Sequence, residues 1–135
     1  MKSIFVDTNF WVAIINPKDQ WHQRAVEKDS DLRPADRVTS ELVLVEVLNY
    51  FSSYRVDLRE GAAKVVRRIV SDRAIETVLH RHDSFLAGLA LYESRLDKKY
   101  SLTDCISMNI MRERGIADVL THDRNFAQEG FNPLL

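Results

Sequence analysis

The sequence predicts an α/β fold: three layers, α/β/α, with a central parallel sheet of four or five short strands. Two observations carry this prediction. Short β-favouring runs alternate with helical segments along the whole chain, the pattern of βαβ units with helices on both faces of a sheet. The 135 residues carry no internal repeat, low-complexity tract or linker, and they suffice for one domain, 1–135, with one sizeable core.

The elements follow in order. Residues 3–7 (SIFVD) read as a buried strand, and 8–15 as a helix ending before Asn16-Pro17. Residues 20–28 have helical spacing, with Trp21 and Ala25 four apart. A second strand is expected at 35–39, then a helix over 39–54 with Thr39 or Ser40 as N-cap. Residues 58–72 form an amphipathic helix in which Leu58, Ala62, Val65, Val66, Ile69 and Val70 share a face. A strand at 74–79, a helix over 83–96 and a helix over 101–115 closed by Gly115 come next. Residues 116–121 give a strand, and FNPLL adds an edge.

Composition excludes several classes. At 45% hydrophobic and 29% charged, the chain has the balance of a soluble globular protein. No apolar run approaches the roughly 18 residues of a membrane span, and the opening residues lack the form of a signal peptide. A single cysteine, Cys105, rules out an internal disulfide and a cysteine-based zinc site, and suits the cytoplasm. It reads as a small core residue. No two of the four histidines stand at the helical spacing of a zinc pair. Net charge is −1, but setting aside four acids leaves 19 basic against 16 acidic residues, a net +3 compatible with a phosphate backbone.

Those four acids occupy unusual places. Asp7 follows the first strand, and Asp123 the last strong one, where the ligand crevice of a parallel sheet lies. Glu46 sits inside LVLVEVL, a stretch apolar nearly all round, where an unpaired carboxylate is costly. Asp104, in SLTDCIS, opens an otherwise apolar helix. Each has a plain structural alternative: a helix cap for Asp7, a helix edge or buried ion pair for Glu46, a capping box with Ser101 for Asp104, a turn for Asp123. Together they can converge. Clustered carboxylates raise one another's pKa unless a cation neutralises them, and oxygen ligands alone select Mg²⁺ or Mn²⁺. Such a site suits phosphodiester hydrolysis.

These residues resemble a PIN domain, specifically the VapC-type toxins of toxin–antitoxin pairs. The resemblance runs over nearly the whole chain, through VDTN at 6–9, LVEVLN at 44–49, SLTDCIS at 101–107 and THDRNF at 121–126, with WHQRA at 21–25 in support. It implies a Mg²⁺- or Mn²⁺-dependent endoribonuclease whose acidic quartet falls on Asp7, Glu46, Asp104 and Asp123. These acids would hold one or two metals that activate water for in-line attack, leaving a 5′-phosphate and a 3′-hydroxyl. Thr8, Asn9 and Thr103 stand beside the acids and are expected to orient them. Many relatives carry a further acid two positions after the last, where this chain has Asn125, which bears on a second metal. The resemblance further implies an RNA substrate, a homodimer and a small antitoxin partner, with helices 41–54 and 58–71 as candidate surfaces.

Weaker signals remain. Arg95, Lys98 and Lys99 are candidates for RNA backbone contacts or a solvated helix end, and His122 beside Asp123 is a candidate for touching substrate or a solvated loop histidine. Trp11, Trp21, Tyr50, Phe51 and Tyr54 are base-stacking, core or dimer-face residues. Two other readings compete: a non-catalytic PIN-like RNA-binding or interaction module, and an aspartate-dependent phosphatase. The second expects D-x-D after the first strand, where Asn9 stands instead, and gives Glu46 no role.

Overall fold

The structure is a computed structural model that describes residues 2–32 and 36–135. Five strands, β1 (Ser3–Val6), β2 (Asp36–Ser40), β3 (Ile75–Val78), β4 (Asp118–Leu120) and β5 (Asn132–Pro133), form one sheet in the order β3-β2-β1-β4-β5. All four pairings are parallel. The start of the expected second strand, Ala35, lies outside the described residues.

Helices α1 (Thr8–Ile15), α2 (His22–Asp31), α3 (Glu41–Tyr50) and α4 (Val56–Ser71) pack on one another, with a 3-10 turn at Phe51–Ser53 between the last two. Helices α5 (His82–Ser94) and α6 (Leu102–Arg114) pack as a pair, and a single helical turn, α7 (Asn125–Gln128), precedes β5. The expected three-layer α/β/α arrangement is therefore present. Phe5, Val6, Val119 and Leu120 in the central strands are fully buried, as apolar strands covered on both faces must be.

Local chemistry sets the boundaries. Ser40 ends β2 and caps α3, its hydroxyl accepting from the Val43 amide at 3.1 Å. Gly115 closes α6 at φ 65, the left-handed conformation a glycine adopts without a side-chain penalty. Gly88 lets α5 and α6 approach, because a Cβ there would stand 2.3 Å from Ile106 Cγ1.

Two expectations about helix faces need correction. Val70 does not join the buried stripe of α4: it is 61% exposed, while Ala62 and Ile69 are buried. Nor is α3 buried all round, since Val45 is 50% and Leu48 39% exposed. Both helices lie in an outer layer, so only the stripe facing the core is covered. Helix α5 is more open still, exposing Phe85, Leu86, Leu89 and Tyr92.

Candidate active site

The chain builds outward from β1 through β2 to β3, then returns to lay β4 on the other side of β1. The crevice of an open parallel sheet forms at such a reversal, beyond the carboxyl ends of the strands. Asp7 lies there, directly after β1, and its amide donates to the Leu120 carbonyl at 3.2 Å, extending the β1–β4 ladder by one bond. Asp123 is three residues beyond β4, Glu46 is in the second turn of α3, and Asp104 is in the first turn of α6.

Each acid is held by one or more neutral donors. The Thr121 hydroxyl donates to Asp7 Oδ2 at 2.9 Å, and the Thr8 hydroxyl to Glu46 Oε1 at 2.6 Å. Asp104 Oδ2 accepts from the Ser101 amide at 3.1 Å, while its own amide donates to Ser101 Oγ at 3.0 Å, completing a capping box. Asp123 Oδ1 accepts from the Asn125 amide at 2.9 Å, and the Asn125 side-chain amide lies 3.4 Å from Oδ2. Among the described residues, no lysine or arginine pairs with any of the four. Asp7 does occupy the N-cap position of α1, but its side chain makes no capping hydrogen bond there. For Asp104 capping is real, and its carboxylate still feels the other acids.

The electrostatics tie the four together. Burial, followed by the charge of Asp104, raises the Asp7 pKa to about 7, against the Thr8 amide and the Thr121 hydroxyl, and Glu46 adds to the rise. Burial also raises Asp104, to about 6, against its Ser101 bonds, with Asp123 and Glu46 adding their charge. Neighbouring carboxylates repel in this way. Among the described residues, no three His, Cys, Asp or Glu side chains are drawn together closely enough to hold a metal ion as they stand. The donor set nonetheless fits a hard cation, because Mg²⁺ keeps several waters and needs only one or two direct carboxylates.

The supporting residues divide. Thr8 orients Glu46, and Asn9 donates to Thr121 Oγ1 at 2.8 Å while its Oδ1 accepts from the His122 amide at 3.3 Å. Thr103, half-buried beside Asp104, has no hydrogen bond to any of the four acids. The residue that sequence reasoning missed is Thr121. Its fully buried hydroxyl donates to Asp7 and accepts from Asn9 and from the Asp123 amide at 3.1 Å. The available signal was its place just past β4, opposite Asp7.

Of the basic candidates, Arg95 is already engaged, its Nε donating to Glu129 Oε2 at 3.0 Å. Lys98 stands 3.8 Å from Asp97. Lys99 is exposed, and its carbonyl accepts from the Asn125 side chain at 3.3 Å, which places its backbone beside the Asp123 turn.

Residues 4–132 match the PIN domain family. The 23S rRNA-specific endonuclease VapC20 of Mycobacterium tuberculosis (strain H37Rv) is 30% identical over 131 residues, 95% of each chain. The crystal structure of M. tuberculosis VapC20, described as a sarcin–ricin-loop-cleaving toxin, superposes with a TM-score of 0.87 at 25% identity, covering 97% of this chain and 98% of that one. VapBC2 of Rickettsia felis, bound to a fragment of its promoter DNA, shares the fold at a TM-score of 0.67 and 13% identity over 98% and 97% of the two chains. Matched from β1 to β5 by the family's model, this chain is a member of the PIN domain family.

Proposed function

We propose that this chain is a divalent-metal-dependent endoribonuclease and the toxin of a toxin–antitoxin pair. The observation that carries the reading is the charge of half-buried Asp104 acting on buried Asp7, more than ninety residues away in sequence. Glu46 adds its charge to both and Asp123 adds its own to Asp104, which supports a shared site at the reversal point of the sheet. The likeness to VapC20 makes 23S ribosomal RNA the first substrate to try.

In this reading Asp7, Glu46, Asp104 and Asp123 hold Mg²⁺ or Mn²⁺, directly or through water. The bound ion supplies two things: a lower pKa for a water molecule, and neutralisation of charge on the phosphoryl group. The chain's own contribution is orientation. Thr121, Thr8, Ser101 and Asn125 each fix one carboxylate, so little ordering is left for the moment of binding. Protons on Asp7 and Asp104 compete with the ion, so its affinity falls as pH falls below about 7. The single domain acts in the cytoplasm as a homodimer restrained by a small antitoxin. The apolar residues left open on α3, α4 and α5, such as Val45, Val56 and Leu86, are the surfaces for those partners. Among the described residues no helix is long and apolar enough to cross a membrane.

Purified protein should cut RNA with Mg²⁺ or Mn²⁺, stop with EDTA, and lose cutting in Asp7→Asn and Asp104→Asn. Mapping 5′-phosphate ends in total RNA after brief expression, against Asp7→Asn, would identify the target. Cleavage that survives both substitutions would refute the assignment. Absence of toxicity from active enzyme would count against the toxin role alone.

A further inference from the structure

The loop after β4 carries one side chain that the carboxylate crevice does not use. His122 lies between Thr121, whose hydroxyl holds Asp7, and Asp123 itself. Its imidazole stacks on the indole of Trp21, with ring centres 4.5 Å apart and planes 10° from parallel. The guanidinium of Arg24 lies over the same indole, 5.3 Å from its centre. Trp21 and His122 are half-buried and Arg24 is exposed, so the three form a rim rather than part of the core.

The rim is held from beneath. The Trp21 backbone amide donates to Asp19 Oδ1 at 2.8 Å, and His22 Nδ1–H donates to the Ala13 carbonyl at 2.6 Å, fastening the start of α2 to α1. The His122 backbone amide donates to Asn9 Oδ1 at 3.3 Å. Little ordering is therefore left for a ligand to impose. Parallel aromatic planes beside a guanidinium are the surface on which proteins stack splayed nucleobases while a cation takes the adjoining phosphate. A simple clasp between α2 and the loop would need neither the exposed rim nor the cation.

We infer that the Trp21–His122 pair is the platform on which a base flanking the cut phosphate stacks, with Arg24 taking a neighbouring backbone phosphate. The inference rests on the ribonuclease reading and makes the pair a substrate-positioning element. The platform selects unpaired loop or bulge nucleotides, because a base held in a duplex cannot reach it.

The test is an equilibrium titration in EDTA, read by tryptophan fluorescence, with a short hairpin RNA and a set of the same hairpin made abasic at one loop position at a time. Unmodified protein should be quenched by the intact hairpin. Trp21→Phe should lose that response, since Trp11, the other tryptophan, is 5% exposed. His122→Ala should bind about five- to a hundredfold more weakly, and His122→Phe should recover most of the loss. One abasic position should weaken binding to unmodified protein by a similar factor and have no effect on His122→Ala. Equal abasic penalties in the two proteins would overturn the inference and leave the stack as a clasp. Absence of quenching in unmodified protein would overturn it too, and requires no variant to fold. Failure of the ribonuclease reading shows separately, as absence of cleavage by unmodified protein once Mg²⁺ is added.

Discussion

Two clusters of buried acid in this molecule behave in opposite ways. Glu129, whose side chain is 6% exposed, would be raised by burial, but bonds from Arg95, Arg112 and Tyr100 outweigh it and hold the group at about 2. It joins the end of α7 to the α5–α6 loop and to α6, and both of its oxygens meet donors. Asp7 is as deeply placed, yet it meets only one amide and one hydroxyl against two like charges, and rises to about 7. A carboxylate that serves the fold is paired, because an unpaired buried charge is costly. One left without a cationic partner among its like rises instead, as groups at functional sites do.

The largest effect expected from breaking this contrast is on activity. Asp7→Asn and Asp104→Asn keep the volume and remove the charge, and each should lower Mg²⁺-dependent RNA cleavage at least about a thousandfold. Circular dichroism should show the fold intact. Retention of activity within about tenfold would mean that the crevice is not the site.

Stability should respond next, with the sign reversed between the clusters. Asp7 has a folded pKa of about 7 against 3.8, so the folded protein holds more protons than the unfolded one between those values. Metal-free protein should accordingly lose stability as pH rises from about 4 to about 7, with Asp104 contributing the same sign up to about 6. Asp7→Asn should flatten that slope and, in EDTA at pH 8, stabilise by up to about 4 kcal/mol. Mn²⁺ should stabilise the unmodified protein and not the variant. Thermal melts across pH would decide it, and a slope unchanged by the substitution would contradict the burial of Asp7.

Glu129→Gln should do the reverse. Its depressed pKa contributes stability that is full above about 4.5 and lost as pH falls through about 2. Removing the charge leaves Arg95 and Arg112 without their partner and should cost about 2–3 kcal/mol at neutral pH, seen in urea denaturation. Cleavage rates of the remaining folded protein should be unchanged. A large loss of kcat would place Glu129 with the working acids.

The sequence makes one of these clusters far more legible than the other. Asp7, Glu46 and Asp104 stand out because a carboxylate within an apolar run violates local patterning, and because strand ends locate the crevice of a parallel sheet. The alternation of elements foretells the sheet, and Ser40 and Gly115 mark helix ends through chemistry local to the chain. Glu129 gives no such signal: its partners lie 17, 29 and 34 residues away, and EG in FAQEGF looks like any solvated turn. Helical periodicity likewise shows that Leu86 and Leu89 are on α5, but not that the fold leaves them uncovered. Local rules are read from local sequence, whereas pairing and covering are decided by tertiary neighbours.

Thr121 belongs to that second kind, and its removal should give the smallest and most informative effect. The bond to Asp7 spans 114 residues, and the same oxygen accepts from Asn9 and the Asp123 amide. Thr121→Val keeps the shape and deletes all three bonds. Asp7 then loses a contact that lowers its pKa, so it holds its proton to higher pH. Binding of Mn²⁺, followed by calorimetry, should weaken about tenfold, and its pH midpoint should move upward. Thr121→Ser retains the hydroxyl and should restore both. A Val variant that is destabilised but keeps the original midpoint would mean that Thr121 ties the β4 loop to β1 without tuning the acid beside it.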